Sequence, residues 1–340
     1  MPDIKAPILL GRINGPWRVA LRWVNILLVG ASLFFYFNYW RPGKHDPVTP
    51  WLESRGLTTR LSGPAILEKT PQSCLMQGVE LVRAEMDEVA EQSGLEISEH
   101  YENTAYIIND SGNDPILFIA GKDGVIRERV VYSAVEPEDP EALALGPCDG
   151  ATCLYIADMG DNFRSRSVRT IYFKKESALR DPSINFSSFQ FNYPDGLKID
   201  AESLMADPRT GDLYVITKHY EIGFVFRIPY KDIKDGGQVE AQYIRPLPFP
   251  DITGADFHPN GRRLFLVFAE GLLDISLDLN HKGVGEVPLV EGRNYRVINA
   301  PIFPMQESIA WDPGNGDILY ASEEFPVLGP SSRIGRVKCL

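Results

Sequence analysis

Glu202-Ser203-Leu204-Met205-Ala206-Asp207-Pro208, followed by Gly211-Asp212-Leu213-Tyr214, returns 105 residues later as Glu307-Ser308-Ile309-Ala310-Trp311-Asp312-Pro313 and Gly316-Asp317-Ile318-Leu319-Tyr320. Midway between them, Thr253-Gly254-Ala255-Asp256-Phe257-His258-Pro259-Asn260-Gly261-Arg262-Arg263-Leu264-Phe265 keeps the plan of short strand, Pro/Gly turn and apolar strand, with Thr in place of Glu. Two further copies lie upstream. One joins Glu141-Ala142-Leu143-Ala144 to Cys153-Leu154-Tyr155-Ile156-Ala157-Asp158, the other Ser93-Gly94-Leu95-Glu96-Ile97-Ser98 to Ala105-Tyr106-Ile107-Ile108-Asn109-Asp110. A repeat of roughly 50 residues built from strands and Gly/Pro turns predicts an all-β chain folded as a β-propeller.

Each blade needs four strands, and the order of apolar runs supplies them. Blade one is expected at 93–98, 105–110, 115–121 and 124–133, and blade two at 141–146, 152–158, 167–175 and 188–193. Blade three follows at 202–206, 212–218, 222–228 and 239–246, and blade four at 252–258, 263–269, 271–278 and 285–297. After 307–312 and 317–323 only Arg333 to Lys338 remains, so the last blade lacks its outer strand. Val79 to Glu85, a strand-like run before the first repeat, is the candidate to complete it, which would close a five-bladed ring without open edges. A six-bladed ring is the alternative and needs a degenerate repeat between Glu141 and Glu202 or before residue 93.

The sequence before the repeats has a different character. Trp23 to Trp40 is apolar on every face except Asn25, Ser32 and Asn38. As a helix its length of about 27 Å just crosses a hydrocarbon layer. Lys5, Arg12, Arg18 and Arg22 precede it, against Arg41 and Lys44 after it, which predicts a cytoplasmic N-terminus. The run ends in bulky aromatics instead of a small-residue cleavage site, so an uncleaved signal anchor is expected rather than a removed signal peptide. The predicted organisation is a cytoplasmic segment over 1–22, a transmembrane anchor over 23–40, a Pro/Gly-containing linker over 41–71 and an extracytoplasmic propeller over 72–340, periplasmic or extracellular.

Without residues 1–44 the chain carries 28 basic and 45 acidic side chains, a formal charge of −17. That balance excludes nucleic acid as a partner and favours cations. The four cysteines, Cys74, Cys148, Cys153 and Cys339, suit disulfides in an exported domain. Cys148 and Cys153 flank a turn and can staple a hairpin, while pairing of the first and last strands of the ring brings Cys74 towards Cys339. Two buried free thiols are the competing reading for the hairpin pair.

The residue opening each first strand should stand at one mouth of the central channel: Ser93, Glu141, Glu202, Thr253 and Glu307. A second tier comes from the ends of the second strands, with Asn109 or Asp110, Asp158, Lys218, Glu270 and Glu323. Oxygen ligands drawn from several blades suit a hard ion, calcium or another divalent cation. Glu141, Glu202, Glu307, Asp158 and Asn109 are the candidate ligands. The competing reading has these acids solvating a water-filled channel, with Asp and Asn favoured by turn conformation alone. No Gly-x-Ser-x-Gly, P-loop or His-Glu-x-x-His is present, and the five histidines are scattered, so nucleophilic and zinc chemistry find no support.

The Ser93-Gly94 start, the Asn109-Asp110-Ser111-Gly112 turn, the Glu-Ala-Leu-Ala and Glu-Ser-Ile-Ala repeats and the N-terminal anchor together resemble bacterial exported β-propellers of the SdiA-regulated type. More distantly they are similar to gluconolactonase/strictosidine-synthase-like and phytase-esterase-like propellers. The SdiA-regulated resemblance implies no assigned reaction. The gluconolactonase-like one implies a divalent cation held by a first-strand Glu, matched by Glu141, Glu202 or Glu307, with Asn and Asp from other blades. Two functions follow as expectations: a membrane-anchored module binding a small molecule or protein, with a cation in its channel, or a divalent-metal-dependent hydrolase of lactones or phosphoesters.

Overall fold

The turns that punctuate the repeat have a common construction. Asp207 Oδ1 accepts the Arg209 N–H at 2.9 Å, and Gly211, at φ +75°, donates its N–H to the Asp207 carbonyl at 2.8 Å. Asp312 does the same with Gly314 at 2.9 Å and with Gly316 at φ +77°. In the third copy His258 Nδ1 takes the acceptor role, receiving the Asn260 N–H at 3.1 Å, and Gly261 sits at φ +64°. A short side-chain acceptor and a left-handed glycine thus reverse the chain between first and second strands.

The computed structural model describes residues 46–57, 76–83, 88–276, 295–298, 300–301, 305–323 and 333–339. Its sheets are five, one per blade. Blade one is β2 (Gln92–Ile97), β3 (Ala105–Asn109), β4 (Ile116–Ala120) and β5 (Ile126–Val131). Blade two comprises β6 (Pro140–Cys148), β7 (Ala151–Asp158), β8 (Arg169–Lys175) and β9 (Ser187–Asn192). Blade three comprises β10 (Ala201–Ala206), β11 (Leu213–Thr217), β12 (Gly223–Ile228) and β14 (Gln242–Leu247), and blade four β15 (Gly254–Phe257), β16 (Arg263–Phe268), β17 (Gly271–Ser276) and β18 (Tyr295–Ile298). Blade five is β19 (Gln306–Trp311), β20 (Ile318–Ser322), β21 (Arg333–Cys339) and, from the other end of the chain, β1 (Met76–Arg83). β1 runs antiparallel to β21 from Met76 opposite Cys339 to Arg83 opposite Arg333. The ring therefore closes with five blades, by the strand expected to close it.

Two features depart from the expected plan. The run 239–246 divides at Ala241, whose N–H bonds the Asn192 carbonyl at 2.9 Å. Its first part, β13 (Gln238–Glu240), adds in parallel to β9 as a fifth strand of blade two, and only the second part belongs to blade three. The stretch read as a linker contributes α1 (Val48–Ser54) to the propeller unit, which begins at Asp46. Val48 and Leu52 are buried in the core shared with Phe226, and Trp51 donates its indole N–H to Asp195 at 2.6 Å. Apolar residues at i and i+4 on one face give this short helix its reason to dock. Among the described residues no helix is long and apolar enough to cross a membrane. The predicted anchor, Trp23 to Trp40, lies outside them.

Every first strand is buried along its length or nearly so. Leu95, Leu143, Leu204, Ala255 and Ile309, with Ser93, Glu141, Glu202, Glu307 and Ser308 beside them, line an axial cavity of about 10 Å³. A cavity of that size has room for about one water molecule.

Cys148 and Cys153 are disulfide-bonded, with Cα atoms 5.7 Å apart across the β6–β7 hairpin. Cys339 is also in a disulfide. Its expected partner, Cys74, lies outside the described residues.

Candidate functional site

The first strands all begin at one end of the axis, here the upper mouth, which brings Ser93, Glu141, Glu202, Thr253 and Glu307 together in buried positions. The two hydroxyls stitch neighbouring blades. Ser93 Oγ lies 2.8 Å from both the carbonyl oxygen and Oε2 of Glu141, and Thr253 donates to the Gln306 carbonyl at 2.7 Å.

The three glutamates line the same axial cavity but have different neighbours. Glu202 Oε1 lies 2.5 Å from the Lys218 ammonium, which the end of β11 projects into the mouth. Glu307 lies beside that pair, and its carboxyl is hydrogen-bonded to Glu202. Glu141 instead joins Asp139, from the β5–β6 connection, and Asp110, just beyond β3. Oxygens of these three lie within 4.8 Å of one another.

Gly160, after β7, borders this second group. A Cβ there would stand 2.5 Å from Glu141 Oε1 and nearer still to Asp139 Oδ2. The glycine is needed for space, since its φ is not left-handed.

Asp158 and Asn109 serve the walls of the site. Asp158 pairs with Arg166 at 2.8 Å and accepts the N–H groups of Glu138 and Asp139 at 3.1 and 2.9 Å, so it fixes the backbone that carries Asp139. Asn109 donates to the Glu88 carbonyl at 2.9 Å, and it is its neighbour Asp110 that reaches the carboxylate group. Glu323, from the end of β20, stands on the Glu307 side.

Burial and mutual repulsion set the charge state of the mouth. Loss of solvent, then the neighbouring Asp110, pushes Asp139 up to about 7. Desolvation and the Glu202 charge hold Glu141 well above the carboxylate range. Glu307 and Glu323 are each raised to about 7, chiefly by burial. Burial pulls the Lys218 ammonium down, but Glu202, Glu307 and Asp200 outweigh it and the net displacement is upward. A site of this kind attracts cations and holds carboxyls ready to exchange protons near neutrality.

Asp139 was missed because alignment of the repeats starts one strand position too late. Asp139-Pro140-Glu141 and Asp200-Ala201-Glu202 are the same Asp-x-Glu pattern, and Glu91 and Asp251 occupy the corresponding place before Ser93 and Thr253. An acid two residues ahead of the mouth residue in four of the five blades was the available signal.

Fold and site define a class: a five-bladed β-propeller with an acidic upper mouth. Neither a protein-family model nor a curated protein matches the chain. Solved structures do. Hydrazine synthase from Kuenenia stuttgartiensis is similar at 15% identity and a TM-score of 0.37, over 69% of this chain and 56% of that one, so the chain spans little more than half its length. An auxiliary nutrient binding protein from Bacteroides thetaiotaomicron is similar at 10% identity and a TM-score of 0.39, over 73% and 68% of the two chains. Glutaminyl cyclase from Myxococcus xanthus is similar at 12% identity and a TM-score of 0.42, over 78% and 95%.

Proposed function

We propose that this protein is a membrane-anchored, extracytoplasmic binding module that holds a divalent cation, calcium by preference, at Asp110, Asp139 and Glu141. The observation carrying it is the convergence of three carboxylates from neighbouring blades within 4.8 Å, beside a glycine that leaves the space between two of them open. Oxygen-only donors suit calcium, which takes six to eight oxygens, more than they suit softer ions. The proposed ligand set keeps Glu141 and replaces the other sequence candidates with Asp110 and Asp139, because Lys218 already serves Glu202. Anchoring and export rest on the Trp23–Trp40 run, and they agree with the resemblance of the repeat motifs to exported SdiA-regulated-type propellers.

Calcium titration of the full-length protein, followed by calorimetry and thermal unfolding, tests the site. Saturable binding of one ion that raises the unfolding temperature, and that is lost in D139N, is the expected result. A flat titration sinks it. A reporter fused after Leu340 that is active only when cytosolic would sink the topology.

The second reading is a divalent-metal-dependent hydrolase of lactones or phosphoesters. Glu307 and Glu323 favour it, since carboxyls poised at about 7 can take or give a proton in the working pH range. A lactone and phosphoester panel run with calcium and with chelator decides it: turnover that chelator abolishes supports a hydrolase, and none on either arm leaves the binding module.

A further inference from the structure

The outer strand of blade one and the third strand of blade two leave a groove between them. Its volume is about 850 Å³, with the end of β5 and the residues after it on one side and β8 with the 179–186 connection on the other. Small-molecule sites commonly enclose about 300 to 1,000 Å³. Tyr132, Tyr172 and Phe186 form an aromatic wall, the Tyr132 ring lying 5.4 Å from Tyr172 and 6.3 Å from Phe186 between centroids. Val131, Val135 and Ile184 also line the groove and are 66%, 67% and 47% exposed. Eight large apolar side chains are exposed among the described residues, and three of them at one groove make a patch of the kind that marks a binding site.

The charged groups select what can bind there. Three basic residues, Arg129, Lys174 and Arg180, line the groove against one acid, Glu128, in a chain whose formal charge is −12. Arg129 pairs with Glu88 and Arg180 with Glu128, so both guanidinium groups are already balanced. Lys174 is different. Only 5% exposed, it donates to the Asp181 carbonyl at 2.9 Å and the Leu179 carbonyl at 3.4 Å, and its ammonium stands 5.3 Å from the centre of the Phe186 ring. Carbonyls and a ring face hold a cation without cancelling its charge. Loss of solvent pulls the ammonium below its ordinary pKa, and the charge that opposes this is Asp181, whose carboxylate instead receives the Ser183 N–H and hydroxyl at 2.9 and 2.6 Å.

We propose that this groove binds a small aromatic carboxylic acid, its carboxylate at Lys174 and its ring against Tyr132, Tyr172 and Phe186. An ammonium has three N–H donors and two are engaged, which leaves one for the carboxylate. Tyr172 lies two residues away on the same face of β8 and accepts from the Ser133 hydroxyl at 3.5 Å, so its own proton is free to meet the second carboxylate oxygen. A cationic guest meets repulsion from Lys174, and a neutral one forgoes the charge-assisted bond. The groove shares no residue with Asp110, Asp139 and Glu141, so this site stands apart from the proposed cation.

The probe is 2-naphthoate, titrated by calorimetry into the full-length protein with calcium and, separately, with EDTA. Saturable binding of one molecule per chain is expected in both. Diffuse attraction cannot produce it, because an acidic protein repels a free anion. The alcohol 2-naphthalenemethanol, with the same ring and no charge, should bind about tenfold or more weakly, and acetate, with no ring, should show no saturation. K174M should weaken naphthoate about tenfold or more for the same reason. Lys174 also holds the 179–181 backbone, so V131S/V135S, which changes two exposed side chains, keeps the test alive if K174M folds poorly. That double variant should weaken naphthoate about threefold or more through lost apolar contact. No saturation by naphthoate, equal binding of the acid and its alcohol, or full affinity in either folded variant would overturn the site. Binding that appears only with calcium would move it to the cation and overturn it too. A flat calcium titration with intact naphthoate binding removes the metal alone.

Discussion

Lys218 Nζ stands 2.5 Å from Glu202 Oε1, so the carboxylate that opens the first strand of blade three comes with its own cation. Glu202 is almost wholly buried while Lys218 remains partly open to the mouth. Replacing Lys218 by Met leaves an unpaired acid in the interior, for which about 2 to 4 kcal/mol of destabilisation is expected after protonation softens the loss. Denaturant unfolding of K218M against the double variant K218M/E202Q measures it. The double variant should recover part of the loss, and no recovery would mean that the lysine acts through something other than Glu202.

Gly160 offers a test of the cation site that leaves every carboxylate in place. A methyl group at this position meets both Asp139 and Glu141, and its backbone N–H is already engaged with the Asp139 carbonyl at 3.0 Å. G160A should therefore lose the calcium-dependent rise in unfolding temperature. A ligand at a hundred times its dissociation constant contributes about 2.7 kcal/mol to wild-type stability, an effect large enough to see vanish. An undiminished calcium shift in G160A would place the ion elsewhere.

Asp158 should matter at one remove. Its carboxylate holds the Glu138 and Asp139 N–H groups and the Arg166 guanidinium, so D158N keeps one acceptor and loses the charge that anchors Arg166. Calcium affinity should fall by roughly threefold to thirtyfold, the range for losing a charge-assisted hydrogen bond that positions a ligand. Calorimetry checks this, and an unchanged affinity would separate Asp158 from the site altogether.

Architecture was far more legible in the sequence than chemistry. The Asp207-Pro208 and Asp312-Pro313 turns repeat because a turn needs a side-chain acceptor and a left-handed glycine at fixed positions, and that local requirement leaves a local trace. β1 could be recognised because a ring with a missing strand needs one. The site was harder to read, since Asp110, Asp139 and Glu141 meet only through the closure of two blades, and the alignment of strand starts passed over an acid in the preceding connection. Lys218 was visible at the end of its strand, but only the fold reveals that it sits on Glu202. α1 was hidden by the prolines around it, although Val48 and Leu52 carry the spacing of a docked helical face.

That helix makes its own prediction. Trp51 packs edge-on against Tyr243 with ring centroids 5.9 Å apart and hydrogen-bonds Asp195, which also receives the Arg55 guanidinium. W51A removes the ring and the N–H donor at once from a half-buried place, so about 1 to 3 kcal/mol of destabilisation is expected, below the cost of a fully buried aromatic. Thermal unfolding reads the loss, and protease cleavage between residues 46 and 57 should become fast. Resistance equal to wild type would mean that Val48 and Leu52 alone hold the helix.

The acids of the mouth fix the sign of the pH dependence. Asp139, Glu307 and Glu323 bind protons more tightly when folded, at about 7, than as free carboxyls near 4. Asp256, raised to about 7 by burial at the opposite end of the axis, acts in the same direction. A carboxyl whose folded pKa is raised contributes stability that is fully present below its unfolded value and is lost as pH rises towards and through the folded one. The chelated protein should therefore unfold at progressively lower temperature from about pH 5 to pH 8, with no further decline from these groups above that. Calcium should restore the loss at pH 8 and do little at pH 5, because the ion replaces the protons that Asp139 and Glu141 give up. Replacing Asp139 by Asn should flatten part of the decline and remove the calcium rescue together. Unfolding temperatures that rise with pH in chelator, or a calcium effect equal at both ends, would refute the assignment of raised carboxyls to the ion's site.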